Sequence, residues 1–493
     1  MVWGLLPFLA ASAVGGVAPV GQTMRPPNII LIMADDLGYG ELGCYGQTKI
    51  QTPNIDRLAA EGMRFTRFYS ASTVCAPTRC GLLTGKHTGH AAIRGNKEVG
   101  GWGLNEGEGQ APLPAGEKTI AEVLKSRGYA TACVGKWGLG GPGSEGHPLR
   151  QGFDFFFGYL CQRQAHNYTP THLWRNNDVY LLSENRYFSP HQRLAQAPGD
   201  PSAFDKYLGT QFAPAVTHDQ AESFIKQNKD KPFFMYYSTT LPHGALQAPK
   251  EWVARYPREW DKGPYLGQNG YLPNIRPRAT YAAMISYLDD CVGRLMKLVD
   301  DLGLTGETIF IFKADNGTAP NAGVDRSFFD SLGGLRGMKT NLYEGGIRIP
   351  FLARWKGQIT SGSTDSGLWA SYDVFSTLAQ FAGAKIPSNL DGISFVPRLL
   401  GQEQRRTHDF LYFEYPEGPQ QQAVISGDYK LIRPSLRIGP AKAELYHLVR
   451  DPGEREDLAD KEPKTLARLS QIAKREHVRS AEFPIPAIDG NSD

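Results

Sequence analysis

Four apolar runs of strand length, each followed closely by polar residues, constrain the fold of this chain more than any other feature. The runs cover residues 28–33, 130–134, 233–237 and 308–312, and they lead into Asp35 and Asp36, Lys136, His243, and Asp315 and Asn316, respectively. Helical stretches separate the runs, and this alternation is typical of an α/β fold with a largely parallel sheet. Ligands bind beyond the carboxyl ends of strands in such sheets, so we expect the polar residues to meet at one edge.

Two predicted helices and a change in the sequence pattern after about Pro387 complete the predicted architecture. Residues 119–127 and 281–302 are amphipathic stretches that end at Gly128 and Gly303, as glycine-terminated helices do. After about Pro387 the chain turns to short β-rich pieces, among them residues 423–426 and 429–432, which flank a Gly427-Asp428 hairpin signal. A final helix is predicted over 464–477. We expect a catalytic α/β domain at 24–387, with a large mostly parallel sheet flanked by helices, and a smaller C-terminal antiparallel-sheet subdomain at 388–493.

Composition gives no reason to expect a nucleic-acid partner. Lysine plus arginine number 53 against 50 aspartates and glutamates, which leaves a net charge of +3. Any affinity for anions must therefore be local.

The amino-terminal residues suggest export. Residues 2–14 are apolar and rich in small residues, and Ala11-Ser12-Ala13 is similar to a signal-peptidase site, so we interpret 1–23 as a signal peptide. A start at Met24 is the alternative, because no Lys or Arg precedes the apolar run. No later stretch is long and apolar enough to predict a stable membrane span. We expect a periplasmic, extracellular or lysosome-like location.

The segment from Cys75 to Gly85 is the strongest local motif. Pro77 lies two residues after Cys75, and Arg79 lies four residues after it. The segment ends with Leu83-Thr84-Gly85. It resembles the signature of the formylglycine-dependent, arylsulfatase-like sulfatases of the alkaline-phosphatase superfamily, and the order of the other motifs extends the resemblance over nearly the whole chain. An isolated Cys-x-Pro-x-Arg would more simply be a buried thiol at a loop–helix junction.

The resemblance implies that Cys75 is oxidised by a formylglycine-generating maturation enzyme to formylglycine (3-oxoalanine), whose hydrated form attacks sulfur. The chemistry fits this conversion. A serine would leave a stable sulfated product, whereas one hydroxyl of a geminal diol attacks and the other expels sulfate as the aldehyde re-forms. Free N–H groups at the start of the helix would attract the sulfate anion.

Four oxygen-bearing side chains at two strand ends predict a hard-cation site. Asp35, Asp36, Asp315 and Asn316 match the metal ligands of sulfatases one for one, with formylglycine at Cys75 as a further ligand, and oxygen donors suit Ca²⁺ better than zinc. Either pair alone would more simply form a turn or a helix cap.

The remaining catalytic residues also follow from the resemblance. Lys136 and Lys339 correspond to the two lysines that clamp sulfate, Arg79 would balance the carboxylates and hold the diol, and His243 falls at the position of the general acid that protonates the leaving alcohol.

One position departs from the family pattern. Sulfatases commonly read Gly-Lys-Trp-His-Leu-Gly, with a histidine that hydrogen-bonds formylglycine and helps to expel sulfate, but this chain carries Gly138 there. His147 and His166 are candidates for that task, and either could equally be a surface or substrate-contact residue.

The sequence leaves the substrate open. Tyr, Trp and Arg residues between 159 and 187 suggest stacking on sugar rings, so we expect a sulfated small-molecule or glycan substrate, with a carbohydrate preferred. The alternative is that these aromatic residues belong to the core. A phosphomonoester or phosphonate hydrolase, or a catalytically dead binding protein, is the rival reading of the whole chain.

Overall fold

The computed structural model describes residues 26–100, 108–320, 322–438 and 442–490. Within them, sixteen strands are present: β1 (Asn28–Ala34), β2 (Met63–Phe65), β3 (Phe68–Tyr69), β4 (Ala130–Lys136), β5 (Phe155–Tyr159), β6 (His172–Arg175), β7 (Asp178–Leu181), β8 (Phe233–Ser238), β9 (Thr308–Ala314), β10 (Phe351–Arg354), β11 (Ser363–Asp365), β12 (Trp369–Ala370), β13 (Leu411–Tyr415), β14 (Gln421–Ser426), β15 (Tyr429–Arg433) and β16 (Glu444–His447).

The same residues form twelve α-helices: α1 (Pro53–Ala60), α2 (Cys75–Thr84), α3 (Ile120–Ser126), α4 (Ala213–Asn228), α5 (Lys250–Val253), α6 (Pro277–Asp301), α7 (Arg326–Phe329), α8 (Glu344–Ile347), α9 (Asp373–Phe381), α10 (Val396–Leu399), α11 (Pro463–Glu476) and α12 (Pro486–Asp489). Short 3₁₀ turns lie at Gly43–Tyr45, Pro148–Arg150, Gln164–His166, Pro201–Tyr207, Arg258–Trp260 and Thr305–Glu307.

A large sheet organises the chain. Its strand order over the described residues is β11-β2-β10-β9-β1-β8-β4-β5-β6-β7, and the central run from β9 to β5 is parallel. β10, β6 and β7 pair antiparallel at the two sides. The predicted α/β fold with a mostly parallel sheet is therefore confirmed. The central strands are buried on both faces, which explains their continuous apolar sequences.

Two groups of helices cover this sheet. Helices α1, α4 and α5 each pack against the long α6, while α2, α3 and α9 pack against one another. The predicted helix at 119–127 is confirmed as α3, whose N-cap Thr119 forms a capping box with Glu122. Helix α6 begins earlier than predicted, at Pro277 rather than residue 281, because proline fits the first helical turn.

The carboxyl-terminal strands β13, β14, β15 and β16 form a separate antiparallel sheet in that order. Alternate residues of β13 face opposite sides: Leu411 and Phe413 pack with Tyr69 and Ile347 of the large domain, whereas Tyr412 packs towards α11. The predicted antiparallel subdomain, its hairpin and its final helix are confirmed, and one face of its sheet lies against the segment that precedes α2.

Candidate active site

The carboxyl ends of adjacent strands place the predicted polar residues together. β1 and β9 are hydrogen-bonded neighbours with Ala34 opposite Ala314, so Asp35 and Asp36 emerge beside Asp315 and Asn316. β8 and β4 follow on the other side of β1 and end at Ser238 and Lys136. The parallel pairing thus brings residues far apart in sequence to one edge of the sheet.

The four predicted metal ligands form a buried, tightly connected group. Asp315 Oδ1 accepts the backbone N–H groups of Asp36 and Asn316 at 2.9 and 2.8 Å. Asn316 Nδ2 donates to Asp36 Oδ1 at 2.7 Å. Asp36 adopts φ of +62°, an uncommon conformation for a residue with a side chain, and such backbone outliers occur often at functional sites.

Cys75 begins α2, and its side chain lies among charged groups. Its Sγ is 3.5 Å from Asp35 Oδ1 and 3.4 Å from Lys339 Nζ. Burial, reinforced by the Asp35 charge, raises the pKa of the Cys75 thiol, so the thiol stays protonated at neutral pH. Every residue of α2 is buried, which restricts the movement of Cys75, and Gly85 ends the helix at φ of +70°.

Three cationic side chains surround the carboxylates. Lys136 Nζ lies 2.6 Å from Asp35 Oδ2, Lys339 Nζ lies 2.8 Å from Asp36 Oδ1, and Arg79 Nη2 lies 3.3 Å from Asp315 Oδ2. Burial alone would lower the pKa values of the two lysines, but the aspartates outweigh it and raise the pKa of each. These cations stay charged and can bind the oxygens of an anionic ester.

His243 faces the same cluster. Its Nε2 lies 3.3 Å from Asp36 Oδ2, and its Nδ1 lies 2.5 Å from the Gly244 carbonyl oxygen. Nδ1–H is therefore the donor to that carbonyl, and Nε2 is the nitrogen that faces Asp36. Burial, together with the charges of Lys339 and Lys136, lowers the pKa of His243 well below its usual value.

The two other candidate histidines, His166 and His147, lie in different places. His166 stacks on His243 with ring centroids 4.8 Å apart, and its Nδ1 lies 3.1 Å from His191 Nε2. The structure does not bring His147 to this cluster: its Nδ1 accepts from the Leu149 N–H at 3.3 Å, as the N-cap of a 3₁₀ turn. His147 therefore has a structural role there, as the cap of this turn.

The donor set fits a hard cation. Ligand atoms of Asp35, Asp36, Cys75 and His243 lie within 4.8 Å of one another, and Asp315 and Asn316 adjoin them. Asn316 Oδ1 is buried and, in the part of the chain that the structure describes, has no hydrogen-bond partner. Buried carbonyl oxygens rarely lack one, so an oxygen-seeking cation would satisfy this atom.

The aromatic stretch at 159–187 divides between core and surface. Tyr159 and Tyr168 are buried, and Tyr168 Oη lies 2.5 and 2.7 Å from the carbonyl oxygens of Thr240 and His243, within hydrogen-bond reach of both. Tyr180 packs on Phe157. For Tyr159 and Tyr168 the core interpretation is right, because both side chains are buried and their hydroxyls have internal partners, whereas Tyr180 is only half-buried.

Several residues at the site were not predicted from the sequence. Ser238 Oγ accepts a hydrogen bond from Arg79 Nη1. Tyr271 packs beside both His243 and His166, with ring centroids 5.6 and 5.0 Å away. The position of Ser238 at the end of β8 was a usable signal. Tyr271 comes from an irregular segment at φ of +66° and gave none.

Fold and cluster together define a hydrolase of anionic esters, with its site at the carboxyl edge of a parallel sheet. A family model described as "Sulfatase" matches residues 27–384, and one described as "N-sulphoglucosamine sulphohydrolase, C-terminal" matches residues 337–478. The chain belongs to the sulfatase family and is a sulfuric ester hydrolase.

Relatives extend the similarity over almost the full length. The chain is 34% identical to arylsulfatase A of Bos taurus, covering 95% of this chain and 90% of that protein. It is 30% identical to N-acetylgalactosamine-6-O-sulfatase of Bacteroides thetaiotaomicron, covering 92% and 93%. The crystal structure of Ps i-CgsB in complex with k-i-k-neocarrahexaose superimposes with a TM-score of 0.74 at 26% identity, over 92% and 94% of the two chains.

Among the described residues, no helix is long and apolar enough to cross a membrane. The signal peptide predicted at 1–23 lies outside the described residues.

Proposed function

We propose that this sulfatase removes sulfate from a sulfated carbohydrate, using a formylglycine nucleophile derived from Cys75 and a bound calcium ion. The observation that carries the proposal is the position of Cys75: its Sγ lies between Asp35 and Lys339 at the first turn of a fully buried helix. In the active protein, the hydroxyls of hydrated formylglycine would stand where Sγ stands here.

The surroundings of Cys75 disfavour a thiol nucleophile. Burial and the Asp35 charge raise the pKa of the thiol, whereas catalytic cysteines have lowered pKa values. A geminal diol does not require a thiolate, and its second hydroxyl allows sulfate to leave. A formylglycine-generating enzyme is therefore the maturation partner that we propose.

The cation and the basic residues would bind different parts of the sulfate ester and of the nucleophile. A calcium ion held by Asp35, Asp36, Asp315, Asn316 and the modified residue 75 would polarise a sulfate oxygen. Lys136 and Lys339 would bind the remaining sulfate oxygens. Arg79, which is buried and bonded to Asp315 and to the Lys136 carbonyl oxygen, would hold the diol and balance the carboxylates.

His243 would protonate the leaving alcohol through Nε2, since Nδ1 is held by the Gly244 carbonyl. Its pKa is lowered in the free protein by burial and two lysine charges. Bound sulfate adds negative charge beside the ring and favours the protonated form that an acid requires.

The rim of the site suits a sugar. His166, His191 and Tyr271 form an aromatic group above His243, with centroids of 5.3 Å between the two histidines and 4.6 Å from His191 to Tyr271. Aromatic rings stack on sugar faces, and two of the relatives described above are associated with glycans by name.

We also propose domain boundaries and a location. The proposed boundary at residue 387 lies between the strands of the large sheet and β13–β16. Residues 1–23 would direct export to a periplasmic, extracellular or lysosome-like compartment.

A substrate screen tests this function. Purified protein carrying the modified residue should release sulfate from some sulfated mono- or oligosaccharides, and Cys75→Ala should abolish release while keeping the unfolding midpoint. A phosphate ester and an aryl sulfate serve as comparison substrates. Faster hydrolysis of the phosphate ester than of every sulfate ester would favour the rival phosphohydrolase.

A further inference from the structure

Gly138 is the position where the chain departs from the sulfatase pattern, and another side chain fills the space beside it. Gly138 has φ of +80°. A Cβ added there would lie 2.8 Å from Gln162 Cγ, 3.0 Å from Cδ and 3.3 Å from Oε1. Contacts under 3.0 Å do not occur without displacement, so Gln162 occupies the volume that a side chain at position 138 would enter.

Gln162 is buried with one end of its amide satisfied and the other free. It is 3% exposed, and its backbone N–H donates to Gln110 Oε1 at 2.9 Å. Its Nε2 donates to Asn96 Oδ1 at 3.2 Å. Within the described residues, its Oε1 has no hydrogen-bond partner. Leaving a buried acceptor unpaired is costly, so Oε1 is an acceptor available to a donor that enters the site.

The hydrogen bonds of Gln162 lead to the nucleophile. Asn96 Oδ1 also accepts the backbone N–H of Ala76 at 2.9 Å, and Ala76 directly follows Cys75. Val74, the N-cap of α2, supplies no side-chain bond of its own. Asn96 therefore fixes both the first turn of the nucleophile helix and the amide of Gln162, with Nε2 turned towards Asn96 and Oε1 left for another donor.

We propose that Gln162 Oε1 accepts a hydrogen bond from the unsulfated hydroxyl of hydrated formylglycine during sulfate release, with Asn96 as the positioning residue. This inference rests on the function proposed above. In the release step the hydroxyl O–H bond breaks and its proton passes to water. The hydroxyl oxygen forms the aldehyde C=O, and the C–O bond to sulfate breaks with its electron pair leaving on sulfate. An amide oxygen orients the hydroxyl but does not take the proton.

The test measures release of the covalent sulfate directly. Enzyme with aldehyde at residue 75 is loaded with an aryl sulfate and rapidly diluted, and the sulfated peptide is followed by mass spectrometry. Gln162→Met keeps the size but lacks the acceptor, and we expect release about tenfold slower, as for loss of one hydrogen bond. At steady state, a larger fraction of Gln162→Met than of wild type should carry sulfate. The increase should be the same with an aryl sulfate and with a sulfated sugar.

Matched variants separate this role from a loss of structure. Gln151 is a second buried glutamine, bonded to the Leu113 and Glu145 carbonyl oxygens, and Gln151→Met should release sulfate at the wild-type rate. Asn96→Ala should slow release, whereas Asn96→Asp keeps the acceptor for Ala76 and should restore it.

Two outcomes would overturn the inference while leaving the proposed function intact. One is release by Gln162→Met at the wild-type rate. The other is lower activity without accumulation of sulfated enzyme. Absence of sulfatase activity in aldehyde-bearing wild type would instead overturn the function itself.

Discussion

His243 contributes through a single nitrogen, because its Nδ1 is bonded to the Gly244 carbonyl oxygen while Nε2 points at Asp36. A general acid matters most when the departing alcohol is a poor leaving group, as a sugar hydroxyl is. We expect His243→Ala to lower kcat/KM on a sulfated sugar by about a hundredfold or more and to affect an aryl sulfate much less. Steady-state rates on the two substrates measure the difference.

A matched variant controls for burial. His218 is also buried, but it lies on α4 beside Tyr237, and His218→Ala should lower both rates alike or not at all. Equal losses on the two substrates for His243→Ala would contradict its role as acid and assign it to sulfate release or binding.

The site residues that could be predicted from the sequence are those whose positions follow from the strand or the motif that carries them. Asp35, Lys136 and Asp315 follow or end strands, and Cys75 carries a recognisable motif. Gln162 and Tyr271 could not be predicted, because their roles depend on which loops meet above the sheet. His147 and His166 looked equivalent in sequence, and only the local turn geometry separates them.

At the scale of elements, the site depends on the pairing of β1 with β9. The register places Ala34 opposite Ala314, so the carboxylates that follow each strand lie together. Removing the cation should abolish activity, because no metal ion would then polarise the sulfate oxygen, and calcium should restore activity. Asp315→Ala should mimic chelation irreversibly.

Activity measured after exhaustive chelation and after addition of calcium or magnesium tests this prediction. Asp325→Ala provides a control, since Asp325 follows the same strand but pairs with Arg278 away from the site. Full activity in protein shown by elemental analysis to lack metal would mean that the aspartates only shape the turns.

The positions of the central strands could be predicted because strands buried on both faces have continuous apolar sequences. The outer pairings were not, since β10 and β6 run antiparallel to their neighbours through contacts distant in sequence. The start of α6 was missed because its first turn carries Pro277 and Arg278 rather than apolar residues.

At the scale of the whole molecule, the carboxyl-terminal subdomain is tied to the catalytic domain by apolar packing and by ion pairs. Lys430 of β15 contacts Glu344 at 3.1 Å, and both side chains are buried. Glu476, the last residue of α11, lies 3.4 Å from His87 Nε2. The subdomain therefore supports the segment that carries the nucleophile.

The pair of Glu476 with His87 predicts a pH-dependent stability. The hydrogen bond from His87 lowers the pKa of Glu476 from 4.5 to about 2. A lowered carboxyl pKa stabilises the folded state above the unfolded pKa, and this contribution is lost as the pH falls through the folded value. The difference in unfolding free energy between wild type and Glu476→Gln should be largest above about pH 4.5 and shrink towards pH 2.

Urea unfolding at about pH 5.5 and about pH 3 measures this difference. Glu456→Gln is the control, because Glu456 pairs with Lys461 at the exposed surface and its replacement should change the unfolding free energy little at either pH. A difference for Glu476→Gln that is the same at both values would show that the ion pair does not hold the two units together.

The central claim is that Cys75 becomes an aldehyde and acts as the nucleophile. Mass spectrometry of the tryptic peptide that contains residue 75, taken from active enzyme and from preparations of graded activity, tests it most directly. We expect specific activity to rise in proportion to the aldehyde fraction and to vanish in Cys75→Ala. Fully active enzyme in which residue 75 is entirely unmodified cysteine would contradict the account.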